Sequence, residues 1–215
     1  GTPSANPSVE ISLSPSDSPS LEPTFNVDPS EWTFAVGRGT LADVSNQIVD
    51  SLRFKEMVLA SDHQIIRRIC PSCYPTHRDI YYRRLTPMPE DFDILDLMMN
   101  NWFSQNNVLN VDFALYSTYE DAVNDNRAAS WTYCNYDDFG IGFPRDCGPT
   151  GFVPHNWASY THSNSNWVGY NHAFFIRANP LFVYSPMTDL ASGMDTSQSS
   201  TFIANGKDYS AEKAI

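Results

Sequence analysis

From Trp32 onward, apolar and polar positions alternate in short runs. In EWTFAVG (31–37), Trp32, Phe34 and Val36 alternate with Thr33 and Ala35, and Gly37 closes the run. A period of two turns one face of a strand to a core and leaves the other half-covered. The same reading predicts strands over FKEMVLAS (54–61), HQIIRRI (63–69) and RDIYYRRL (78–85). The last of these sets Ile80, Tyr82 and Arg84 against Tyr81, Arg83 and Leu85. VLNVDFALYSTYE (108–120) is the clearest strand, with Leu109, Val111, Phe113 and Leu115 on one side, and NHAFFIRA (171–178) and PLFVYS (180–185) supply more. After the breaker TPMPED (86–91) the period changes: Phe92, Leu95, Met99, Trp102 and Phe103 recur at three- and four-residue steps. Pro89, Glu90, Asp91 and Asp93 suit a first helical turn, where a fixed φ and negative charge match the helix start. One short helix near 90–103 is predicted, with its apolar stripe in the core.

Many short strands, one helix and long Gly/Pro/Asn loops define an all-β chain. The expected form is an antiparallel β-sandwich of jelly-roll type, with an α+β domain on one curved sheet as the alternative. The domain spans 30–185, between a spacer over 1–29 and a polar C-terminal segment over 186–215. In the first 24 residues every proline falls on a four-residue lattice, as Pro3-Ser4, Pro7-Ser8, Pro15-Ser16, Pro19-Ser20 and Pro23-Thr24, and the vacancy at Ile11 keeps its Ser12. Such a tract has too little apolar surface to fold and displays its hydroxyls at regular intervals, as an O-glycosylation substrate does. The repeat, about a tenth of the chain, resembles the PSxxPS spacers of secreted and cell-surface proteins of diatoms and related algae. That resemblance implies secretion or wall attachment and carries no catalytic residue.

A formal net charge of −12 argues against a nucleic-acid partner, whose phosphates demand a basic stripe. No apolar run reaches the ~18 residues of a membrane span. No basic-then-apolar leader opens the sequence, so the chain is expected to belong to a longer secreted protein with other domains. Four cysteines, Cys70, Cys73, Cys134 and Cys147, allow three pairings, of which 70–73 with 134–147 is preferred. CNYDDFGIGFPRDCGP (134–149) is then a stapled loop, with Gly140 and Gly142 freeing the backbone and Pro144 stiffening it. Zinc is disfavoured because Cys134 and Cys147 do not form a second CxxC.

Candidate chemistry gathers between Trp131 and Tyr170, where aromatic rings are interleaved with Asn, Asp and His. Sugars offer apolar faces to rings and hydroxyl rims to polar groups, so this mixture suits a glycan. The ligand-binding candidates are Trp131, Tyr136, Asp137, Asp138, Arg145, Trp157, Tyr160 and Trp167. Arg145 either pairs with Asp137, Asp138 or Asp146 or meets an anionic ligand. Asp137 and Asp138 also suit a structural calcium, the one candidate cofactor. His155, His162 and His172 fall in one aromatic stretch, but no histidine pair has metal-ligand spacing. No phosphate loop, nucleophile elbow or HExxH is present, and no catalytic residue is assigned. The leading expectation is a secreted, non-catalytic module that binds carbohydrate or another wall polymer. The alternatives are a polysaccharide-cleaving enzyme using two of Asp112, Glu120, Asp121, Asp137 and Asp138, or an acidic structural or adhesive wall protein.

Overall fold

Five segments pair into one antiparallel sheet in this computed structural model, which describes residues 27–38, 49–159 and 171–177 together with the backbone of 203–204 and 207–208. The strands are β1 (Trp32–Arg38), β2 (Ile65–Ile69), β3 (Asp79–Arg84), β4 (Phe113–Tyr116) and β5 (His172–Arg177), in the order β1-β5-β2-β3-β4. The last of the five in sequence thus lies between the first two. Two further short strands, β6 (Ile203–Ala204) and β7 (Lys207–Asp208), pair with each other. Contacts divide the chain into the units Gly1–Phe182 and Val183–Ile215.

Central β2 is buried along its whole length, with both faces covered. On the inner face Ile66 pairs with Tyr82 and with Ile176, Arg68 with Ile80 and with Phe174, and Tyr82 with Leu115. This face packs against Phe54 and Val58, then Leu97 and Met98, and then Trp102, Trp131 and Phe143. The outer face gathers Trp32, Ile65, Tyr81, Ala114, Tyr116 and Ala122. Fully burying one such apolar side chain contributes about 1.5–3 kcal/mol, so these two clusters dominate the fold.

The chain is largely β, as its sequence pattern predicts, but among the described residues three α-helices accompany the sheet where one was expected. Helix α1 (Ser51–Ala60) takes the FKEMVLAS stretch read as a strand. Asp50 caps it by accepting from the Arg53 N–H at 2.8 Å, and Phe54 and Val58, four residues apart, are its buried pair. Helix α2 (Ile94–Met99) is capped by Asp93. It stops short of the expected stripe, because Trp102 donates its backbone N–H to Ile141 O instead of continuing the helix. Helix α3 (Tyr119–Asn124) is capped by Thr118 and ends at Asp125 in the left-handed region. β4 is shorter than predicted: Asn110 is left-handed, and Asp112 accepts from the Val108 N–H, so 108–112 is a turn. PLFVYS, most of the spacer and most of the C-terminal segment lie outside the described residues. Among the described residues no helix is long and apolar enough to cross a membrane.

Candidate functional site

The stapled loop is closed at its mouth by Cys134–Cys147 and by the reciprocal backbone bonds of Tyr133 and Gly148. The second disulfide is Cys70–Cys73, so the preferred pairing is the one observed. Within the loop Asp137, Gly140 and Arg145 take positive φ, and the Phe143–Pro144 peptide bond is cis. Gly142 serves a different purpose: a Cβ there would stand 2.4 Å from Met98 O, so only glycine lets the loop dock on the end of α2. Segment 153–159 lies along the loop, with Gly142 donating to Ala158 O, Ala158 to Phe143 O and the Ser159 hydroxyl to Gly140 O.

Arg145 is 8 % exposed and pairs with Asp138 and with Asp146, the latter at 3.0 Å. Asp146, itself buried, accepts from the Trp157 indole N–H at 2.7 Å. A line of contacts therefore runs from the exposed loop tip, Asp138 and Phe139, through the ion pair to Trp157. The half-buried Trp157 ring then meets that of His155 at 5.3 Å and 45°. Alongside, Tyr133 and Phe152 make an edge-on pair at 6.3 Å, with Phe152 exposed. Rings held in this way offer contact area with little ordering cost.

Among the described residues, the remaining candidates are engaged within the fold. Trp131 is fully buried, donates its indole N–H to Ser117 Oγ and packs on the His77 ring, which makes it a core residue. Tyr136 stacks on Trp102 at 5.9 Å, and its hydroxyl accepts from the Leu109 N–H; burial pushes its phenol up to about 12. Asp137 accepts from both the backbone N–H and the hydroxyl of Ser104. Tyr160, Trp167 and His162 lie outside the described residues, and His172 is buried at the start of β5.

Among the proposed catalytic acids, Asp112 accepts from Thr86 and Val108. Bonds from Thr118 and Asn126 hold Asp121 below the usual carboxylate range. Nearby Asp125 is also lowered: burial works to raise it, but the Tyr116 hydroxyl and Arg127 outweigh that. These shifts favour the charged form, opposite to what a general acid needs. Among the described residues no group of three or more His, Cys, Asp or Glu side chains is placed to hold a metal ion.

Sequence reasoning missed a buried polar node beneath the loop. Arg68, wholly buried on the inner face of β2, donates to Asn156 O at 2.7 Å and to His77 O at 3.4 Å, and its Nη atoms lie 3.7 Å from Cys73 Sγ. Burial brings Arg68 down to about 9. The His77 ring reaches Cys147 O through Nε2 at 2.8 Å and Thr76 Oγ1 through Nδ1 at 2.9 Å. A carbonyl only accepts, so Nε2 carries the proton and Thr76 donates to Nδ1. Asn156 Oδ1 accepts from the Tyr74 N–H, so one node ties both disulfides and the 153–159 segment to β2. The available signal was the arginine pair inside IIRRI, an otherwise apolar strand.

No family model, no curated protein and no solved structure matches this chain.

Proposed function

We propose that this chain is a secreted, non-catalytic module that binds a neutral polysaccharide at the aromatic rim formed by 152–157 and the stapled loop. One observation carries the reading: the Trp157 indole is fixed by a buried carboxylate, itself paired with Arg145, while its ring stays partly open beside His155. A fixed, half-open ring with polar neighbours suits the apolar face of a sugar. The jelly-roll form of the sandwich, the wall location and a calcium in the 135–138 loop belong to the same proposal. Its support is the antiparallel sheet and two disulfides, crosslinks that persist in oxidising compartments.

The test is retention on insoluble polysaccharides, comparing the protein with Trp157→Ala at matched thermal stability. Removal of the ring is expected to weaken retention at least about tenfold, or about 1.4 kcal/mol. Unchanged retention, or no retention by the parent protein, overturns the reading.

A second reading, an acidic wall protein that associates with polycations, is favoured by how the charges are divided. Every arginine lies among the described residues, and each is engaged internally, while Glu90, Asp91, Asp93, Glu120, Asp137 and Asp138 face solvent. Salt-sensitive binding to polylysine without sugar preference separates it from the first.

A further inference from the structure

Arg68 sits in the core without a counter-ion. Its two carbonyl partners are neutral, its Nε has no partner, and no carboxylate pairs with it among the described residues. The charged groups around it are turned to other work. Asp79 pairs with Arg67, whose ring contacts are on the outer face, Arg78 donates to Cys73 O, and burial brings His77 down to about 4 and so keeps it neutral. A buried, uncompensated cation costs several kcal/mol. The remaining contact is the Cys73 sulfur, 3.7 Å from both Nη atoms. In a disulfide that sulfur is a weak acceptor; as a thiolate it would be a full counter-charge.

We propose that Cys70–Cys73 is a reversible redox centre that exchanges with low-molecular-weight thiols, its reduced form held as a Cys73 thiolate paired with Arg68. This inference does not depend on the proposed function. Reduction begins when a glutathione thiolate attacks Cys70 Sγ. The Cys70–Cys73 bond breaks, and Cys73 leaves with the electron pair as a thiolate against Arg68. A second glutathione thiolate attacks the glutathione sulfur of the mixed disulfide, glutathione disulfide departs, and Cys70 takes a proton. Two electrons pass from two glutathiones to the protein. Of the two thiol protons given up, one ends on Cys70 and one enters solution.

The sulfurs are nearly covered, Cys70 at 0 % and Cys73 at 3 % exposure, but they close a turn whose Ser72 is exposed. That geometry favours a small thiol over a protein partner. Cys134–Cys147 provides the internal control: among the described residues no arginine is hydrogen-bonded to either of its sulfurs, and it is expected to remain oxidised.

The experiment equilibrates the whole chain in glutathione buffers, quenches in acid, and reads each cysteine pair by alkylation and mass. The 70–73 pair is expected to be reduced at glutathione ratios that leave 134–147 intact. Its equilibrium constant should rise between about pH 6 and 8, approaching tenfold per unit, because each reduction releases one proton while glutathione itself stays protonated. His77, already neutral, does not contribute to that slope. In Arg68→Met the constant falls at least about tenfold at pH 7; should that variant not fold, the pH profile of the parent decides. A 70–73 pair that stays oxidised throughout, or a constant independent of pH, overturns the proposal.

Discussion

At position 77 a histidine lies wholly inside the protein, between Thr76 and the carbonyl of Cys147 and against the Trp131 ring. Burial is the main reason its imidazole falls to about 4, with the Arg68 charge adding to it, although the bond to Cys147 O works the other way. Unfolded, the same ring titrates near 6.5, so between about pH 6.5 and 4 only the unfolded chain takes up the proton. Stability from this residue is therefore full above about pH 6.5 and is lost as pH falls toward 4, by about 3 kcal/mol in all. Urea unfolding from pH 7.5 to 4 should show that decline, and His77→Gln should flatten it; an equally steep profile in the variant would remove His77 as its source. The sequence shows His77 but not its setting, because burial depends on strands and loops far away in the chain. Trp131 stands among the ligand candidates for the same reason: its aromatic, Asn- and Asp-rich neighbourhood suggests a ligand surface, while the structure puts its ring in the core.

Between residues and the whole fold, the docking of the stapled loop on α2 is the decisive contact. Phe143 donates its N–H to Leu97 O and Met98 O, and Trp102 donates to Ile141 O, so the loop supplies the carbonyl and amide partners that a six-residue helix lacks at its end. Gly142 makes this approach possible, and Gly142→Ala would drive a methyl into the Met98 and Met99 backbone, with Met98 O at 2.4 Å. The expected cost is about 2–3 kcal/mol in chemical denaturation, the scale of overpacking in a rigid core. A loss under about 0.5 kcal/mol would show that the loop yields. β1, β2, β3 and β5 are legible in the sequence because their short apolar runs have the length of a strand. The face assignment in β1 is not: a register shift between Phe34 and Val36 buries Ala35 in the inner core while Trp32 packs on the outer face. FKEMVLAS is not legible either, since Phe54, Met57 and Val58 fit a helix face as well as Phe54, Glu56 and Val58 fit a strand. The Asp50 cap and the burial of Phe54 and Val58 against the inner face select the helix. The 108–112 turn hides for a related reason: Asp112 holds it through a bond to Val108 that no apolar pattern records.

At the scale of the whole molecule, most of the described arginines lie deeper than the described acids, with Arg127 and Arg53 nearer the surface. Several arginines reach inward to backbone carbonyls, Arg83 to Ala122 O and Val123 O, and Arg84 to Asn106 O and Thr86 O. A net −12 is left mostly to the outer carboxylates. Exposed pairs such as Arg53–Glu56 contribute only about 0–1 kcal/mol each, so repulsion among the acids outweighs them. Raising salt from about 0.01 to 0.15 M shortens the screening length from about 30 to 8 Å, and the urea midpoint should rise with it. A midpoint that falls instead would mean that the ion pairs dominate.

The strand order has a further consequence, one of timing. Among the described residues β1 pairs only with β5, and β2 meets β3 on one side and β5 on the other, yet β5 ends at Arg177. During synthesis the β2–β3–β4 meander can assemble as soon as residue 116 is free, while β1 waits without a neighbour and β2 presents an open edge of Ile65, Ile66 and Ile69. Until the last strand slots between them, the nascent chain offers other chains a template for pairing, and so its most exposed moment comes just before its sheet is complete.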